Sequence, residues 1–133
     1  MSSENNSVPN TNYRVLAQLM EENLQQVWSE RNADRRMTVL ESIYAKDSTL
    51  FEVGEIITGY EAINNAVSRL VNGMPPDFIF TRLKPVIINN NAGRLVWGVG
   101  PKGSPPVATG MDVAIFENGK IKSLYVFLDS KES

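Results

Sequence analysis

The sequence contains no cysteine and no histidine. Without cysteine there is no disulfide framework, no thiolate nucleophile and no cysteine-based zinc site. Without histidine the commonest metal ligand and the commonest general base are both missing. Ser-His-Asp triads, zincin-type centres and histidine-dependent phosphoryl chemistry are thereby excluded. Acid–base work falls to carboxylates, tyrosine, lysine and bound water, and no metal or organic cofactor is implied.

A large excess of charge of either sign is lacking too. A net charge of −2, with no basic stripe interleaved with aromatics, argues against a nucleic-acid partner. No apolar run approaches membrane-spanning length. The opening Met1-Ser2-Ser3-Glu4-Asn5-Asn6-Ser7 has no apolar signal-peptide core. The expectation is a soluble, cytoplasmic protein with no membrane partner.

What is present is an ordinary globular composition in 133 residues, enough for one domain with its own core. A frayed N-terminus is expected over residues 1–12, a single domain over 13–129 and a short tail over 130–133. Leu16, Leu19, Met20, Leu24, Val27 and Trp28 recur at helical spacing and predict a helix from about Tyr13 to Glu30. Asn32 or Asp34 is suited to cap a second helix carrying Met37, Leu40, Ile43 and Tyr44, ending near Lys46 or Asp47. Two short β-leaning pieces, too short for central strands, flank Gly54. A third helix follows from about Tyr60 to Val71, with Gly73 as its C-terminal cap.

After Pro75-Pro76 the pattern turns to strands: Phe78 to Leu83, Pro85 to Ile88, Arg94 to Val99, Val107 to Phe116 and Lys120 to Leu128. Helices first and antiparallel strands afterwards predict an α+β fold with helices on one face of a curved sheet. Asn118-Gly119 joins the last two strands, the strongest short-range hairpin signal because both residues tolerate positive φ. One acid, Asp112, shares a strand face with Gly110, Ala114 and Phe116 by the period-two alternation. It either points to water or forms the polar end of a pocket.

Trp28-Ser29-Glu30, Arg35-Arg36, Tyr44-Ala45-Lys46-Asp47, Gly59-Tyr60-Glu61-Ala62-Ile63 and Gly110-Met111-Asp112-Val113 with Asn118-Gly119-Lys120-Ile121 together resemble the SnoaL-like polyketide cyclase group. That group belongs to the NTF2-like superfamily, which has the ketosteroid isomerase-like fold. The resemblance covers residues 13 to 129 and implies three N-terminal helices packed on a curved antiparallel sheet that encloses a pocket. Fold alone does not fix an activity.

Ketosteroid isomerases carry a general-base carboxylate after a Tyr-Ala-x-Asp stretch, and the resemblance puts Glu52 at that position. Their oxyanion-hole aspartic acid lies in an Asp-Val-x-x-Phe strand, to which Asp112-Val113-Ala114-Ile115-Phe116 is similar. Their catalytic tyrosine falls at Trp28, which donates a hydrogen bond but is no phenol acid. Limonene epoxide hydrolases use an Asp-Arg-Asp set that finds no match in Leu124-Tyr125-Val126-Phe127-Leu128 or in Arg94 to Gly100. Scytalone dehydratase-type chemistry needs histidine.

Asp112 and Glu52 are therefore the candidate catalytic residues. The plainer readings pair Asp112 with Arg94 or a second-helix arginine, and leave Glu52 as a solvated acid on an edge strand. Arg35 and Arg36, unfavourable at a helix start, need partners such as Glu30, Asp34 or Asp47. Trp28, Tyr44, Ile63, Val67, Phe80, Gly98, Leu124, Val126 and Leu128 are expected to line the pocket, in a fold where core and pocket lining are one surface. Trp97 fits either the pocket or the outer sheet face, and Gly98 and Gly100 either widen a cavity or allow a bulge. Three functional readings stay open: an enzyme of isomerase or cyclase type acting on a small hydrophobic molecule, a non-catalytic carrier or sensor, and a protein-interaction module. Homodimerisation through the outer sheet face fits all three.

Overall fold

The structure, a computed structural model, describes residues 10–129. The expectations for residues 1–9 and 130–133 lie outside the described residues. The chain begins with α1 (Asn10–Glu22), which runs into a π-helical segment (Asn23–Trp28). The single helix expected to Glu30 thus changes pitch at Asn23, and Ser29 N–H donates five residues back to the Leu24 carbonyl at 3.1 Å. The extra residue per turn brings Asn23, Leu24, Val27 and Trp28 to the buried side together.

Helix α2 (Ala33–Ile43) starts at Asn32, whose side chain accepts from the Arg35 amide at 2.9 Å. It ends earlier than the sequence pattern suggests. Tyr44 is already extended, at φ −102° and ψ 149°, and opens strand β1 (Tyr44–Glu52). β2 (Glu55–Thr58) folds back on β1 around Gly54, and α3 (Tyr60–Asn72) follows. The rest of the chain forms β3 (Phe78–Arg82), β4 (Ile87–Asn89), β5 (Ala92–Pro101), β6 (Ala108–Glu117) and β7 (Lys120–Leu128).

These make one mixed, unclosed seven-stranded sheet in the order β2-β1-β7-β6-β5-β3, with β4 also paired to β5. Two expectations need correction. β1 is an interior strand of nine residues, held by β2 on one side and β7 on the other. It also runs parallel to β7, so the sheet is not purely antiparallel. A strand that enters directly from a helix is free to pair parallel with a distant strand, which a hairpin cannot do. The final hairpin turns at Asn118 (φ 52°) and Gly119 (φ 76°), as a type I′ turn requires.

Side chains from every helix meet the inner face of the sheet. Met20, Leu24, Leu40, Ile63 and Val67 pack with Leu50, Leu95, Ala114 and Leu124 in a single core, all at most 2% exposed. Among the described residues no helix is long and apolar enough to cross a membrane.

Candidate functional site

Period-two alternation on β6 places Gly110, Asp112, Ala114 and Phe116 on the buried inner face. Register then assembles the site. Asp112 pairs with Leu95 of β5 on one side and Val126 of β7 on the other. Trp97 pairs with Gly110, one diagonal step from Asp112, and its indole N–H donates to Asp112 Oδ1 at 2.9 Å. Gly110 is required there. A Cβ would lie 2.4 Å from the Trp97 ring, so only glycine lets the indole lie across the strand.

Asp112 is 5% exposed. Its Oδ2 makes no hydrogen bond among the described residues, yet it is not among the fully sealed polar atoms; it opens on a cavity of about 80 Å³. Leu24, Trp28, Phe80, Trp97, Val126 and Leu128 wall that cavity, with Glu52 and Leu70 completing it. Leu70 and Leu128 are 41% and 62% exposed, so the mouth lies on their side. Phe80 stands edge-on to both tryptophans, at 6.2 Å from Trp28 and 5.3 Å from Trp97.

Glu52 ends β1 on the same face. β1 and β7 are in register at Phe51–Tyr125, so Glu52 stands abreast of Val126, which itself pairs with Asp112. The two acids are two strands apart, roughly 9–10 Å along the sheet, with Val126 between them. Glu52 makes no hydrogen bond or ion pair among the described residues.

Burial raises the Asp112 carboxyl to about 7; the Trp97 hydrogen bond opposes the rise and the Glu52 charge adds to it. Glu52 is also raised, first by burial and then by Glu55, with Arg69 opposing. That arginine is exposed and sits 3.7 Å from Glu55. Both acids therefore stay protonated to higher pH than ordinary carboxyls, and Asp112, at about 7, is able to donate or accept a proton near neutrality.

The remaining sequence expectations divide. Trp28, Phe80, Val126 and Leu128 meet at the cavity with Asp112 and Glu52. Tyr44, Ile63, Val67 and Leu124 do not line it; they are fully buried core beneath it. Tyr44 donates to Asn23 Oδ1 at 2.6 Å, and burial raises its phenol, with the nearby Trp28 indole opposing. Trp28 Nε1 itself is sealed and makes no hydrogen bond of good geometry.

Gly98 is a correction. It faces the opposite side of β5 from Trp97, where Pro106 packs so close that a Cβ would lie 2.7 Å from the proline ring. Gly98 and Gly100 thus seat the loop after β5 and border a separate cavity of about 230 Å³ beside that loop, not the one that holds Asp112.

Asp112 does not pair with arginine. Arg94 lies opposite Val113, on the outer face. Arg36 is fully buried and donates to the Glu30 and Asn64 carbonyls, Asn64 Oδ1 and Ser68 Oγ. Of the two arginines that open α2, Arg35 alone forms an ion pair, with Glu30 at 3.1 Å.

Leu24, Leu70 and Trp97 complete the wall without having been singled out as lining. Leu24 stands in a helical apolar stripe and Leu70 lies within the third predicted helix, signals that mark helix and burial but not a cavity. A larger open groove of about 450 Å³ lies beside α1, among Val15, Leu16, Phe116 and the asparagines Asn12, Asn90, Asn91 and Asn118. Among the described residues no titratable side chain lines it, whereas the smaller cavity holds two. Among the described residues no three histidine, cysteine, aspartate or glutamate side chains cluster as a metal site requires.

No family model and no curated protein matches this sequence. Solved structures do match it. A SnoaL-like family protein from Agrobacterium tumefaciens, named as an isomerase candidate, superposes with a TM-score of 0.77 at 21% identity, over 90% of this chain and 99% of that one. The fold is that of SnoaL-like, NTF2-like proteins. A second neighbour, named as a SnoaL-like polyketide cyclase candidate from a Jannaschia species, gives 0.69 at 13% identity, over 96% and 92% of the two chains. A third, from Catenulispora acidiphila, has a ketosteroid isomerase-like fold and was solved with trimethylamine; it gives 0.64 at 19% identity over 82% and 83%. At these identities the likeness describes the NTF2-like fold and leaves the chemistry to the residues of the site.

Proposed function

We propose that this NTF2-like chain binds a compact, largely apolar molecule in the cavity and that Asp112 and Glu52 transfer protons on it, chemistry of isomerase or cyclase type. One observation carries the reading: Asp112 is a buried acid with one oxygen held by Trp97 and the other open to the cavity, titrating at about 7. An acid whose role is structural would be closed on both oxygens or paired with a cation. Glu52, two strands away and unpartnered among the described residues, supplies a second proton carrier, and a substrate lodged against Val126 touches both. The names of two fold neighbours, an isomerase candidate and a polyketide cyclase candidate, are in keeping with this, as is the compact trimethylamine held by a third.

Trp28 stands where ketosteroid isomerases place a tyrosine, and its indole is no proton donor to chemistry. The acid–base work therefore rests on two carboxyls. The same reading has the protein act in the cytoplasm as a homodimer that covers the outer face of its sheet.

The test begins with a thermal-shift screen of small carbonyl compounds, since a ligand selective for the native state raises its apparent stability. Exchange of the hits' α-protons in deuterated water is then followed by NMR. Asp112→Asn and Glu52→Gln should each reduce exchange at least a hundredfold while preserving the fold. Unchanged exchange in both variants leaves a carrier and not an enzyme.

A further inference from the structure

Among the described residues the two acids that meet at the cavity have no cation paired to them. Asp112 is faced from β5 by Trp97 and from β1 by Glu52 and Tyr44, the latter two able to add only negative charge. The π-helical segment contributes Leu24 and Trp28, β3 contributes Phe80, α3 contributes Leu70, and β7 contributes Val126 and Leu128, none of which titrates. The arginine that acts on Glu52, Arg69, is exposed and already sits against Glu55.

The wall around Asp112 is aromatic. Trp28, Phe80 and Trp97 are 5%, 5% and 4% exposed and stand edge to face around the space. Aromatic faces beside an unpaired carboxylate recognise weakly hydrated organic cations, which lose little solvation on entering an apolar site. Size restricts the choice further: about 80 Å³ is room for one compact head group and no extended body. The occupant is therefore compact, with any longer body leaving past Leu70 and Leu128.

We infer that the preferred occupant of this cavity is a small organic cation, a molecule with a methylated ammonium head that sits among Trp28, Phe80 and Trp97 and is neutralised by Asp112, with Glu52 at the mouth. The inference rests on the cavity being a ligand site and names the class of ligand; it does not depend on proton transfer. The cation turns Asp112 from proton donor to counter-ion, so its binding releases a proton from that carboxyl.

The chain has only two tryptophans and both line the cavity, so intrinsic fluorescence reads occupancy directly. The probes are choline and its neutral analogue in which a carbon replaces the nitrogen, identical in shape and differing in charge. Choline should bind at least tenfold more tightly than the analogue at pH 8, and its affinity should fall between pH 8 and pH 6 while the analogue's stays flat. Asp112→Asn should remove the preference for choline and leave binding of the analogue in place. Equal or tighter binding of the neutral analogue overturns the inference but leaves the cavity as a ligand site. A preference for choline that survives in Asp112→Asn overturns it equally. Binding of neither probe, checked by calorimetry, overturns both this inference and the ligand-site reading beneath it.

Discussion

Trp97 and Asp112 lie one diagonal step apart on neighbouring antiparallel strands, joined by an indole N–H to carboxylate bond of 2.9 Å. The bond favours the ionised acid and works against burial, which favours the neutral one. Trp97→Phe keeps an aromatic ring in place but removes the donor. Asp112 in that variant should titrate above about 7, as read from isotope-edited carboxyl spectra across pH. A carboxyl that titrates at or below its wild-type position would show that the indole does not set the acidity.

The same acid should leave its mark on stability. Unfolded, Asp112 titrates near 3.8; folded, near about 7. Between those values the native state holds a proton that the unfolded chain has lost, so stability from this group is full below 3.8 and drains away as pH rises to about 7. Asn is neutral throughout. Asp112→Asn should match wild type near pH 4 and exceed it above pH 7 by on the order of 4 kcal/mol. Glu30 and Asp47, lowered by their hydrogen bonds to the Asn32 amide and Lys122, pull stability the other way but are common to both proteins. Urea melts of the pair across pH isolate the difference; a constant gap, or a less stable variant at high pH, contradicts it.

How far the sequence discloses this arrangement depends on how local each signal is. Asn118-Gly119 fixes a turn by backbone chemistry, and the inward face of Asp112 follows from alternation along one strand. Tyr44 is different. It continues the Leu40 and Ile43 stripe and reads as helix, and only pairing with β7, some eighty residues away, draws the segment into a strand. Trp97 is equally opaque, because Gly98 and Gly100 erase the alternation that would reveal its facing. Their small size answers to Pro106, which no pattern within the strand announces. The π-helical pitch change at Asn23 likewise has no signature in an apolar stripe that fits an α-helix.

On the outer face of the sheet Phe51 stacks on Tyr125 at 4.4 Å, and Phe127, 49% exposed, continues the patch on the same strand. If a second copy covers that face, Phe127→Lys should convert a dimer to a monomer in sedimentation velocity, because a buried unpaired ammonium is costly at an apolar contact. The cavity opens on the other face, so ligand binding per chain should change little. A wild-type protein that sediments as a monomer at all concentrations removes the homodimer from the proposal.

Arg36 fastens the helical layer. Its guanidinium is fully buried, with Nε and Nη2 on the Glu30 carbonyl at 3.0 and 2.7 Å. Nη1 reaches the Asn64 carbonyl at 3.2 Å, Asn64 Oδ1 at 2.9 Å and Ser68 Oγ at 2.6 Å. Burial lowers its pKa while the Glu30 carboxylate opposes, yet an arginine stays charged under any folding condition. One planar fork thus ties the turn after the π-helical segment to α3, the helix that brings Leu70 to the cavity mouth. Met has similar length and no donors, so Arg36→Met leaves several buried acceptors unsatisfied, at about 1–3 kcal/mol each. The variant should lose about 3–5 kcal/mol in urea unfolding, while Arg36→Lys, with a charge but no fork, should fall between it and wild type. Ligand affinity should drop with stability, because α3 is then free to shift its leucine from the mouth. A methionine variant as stable as wild type would mean that packing alone seats α3 and that the guanidinium is dispensable.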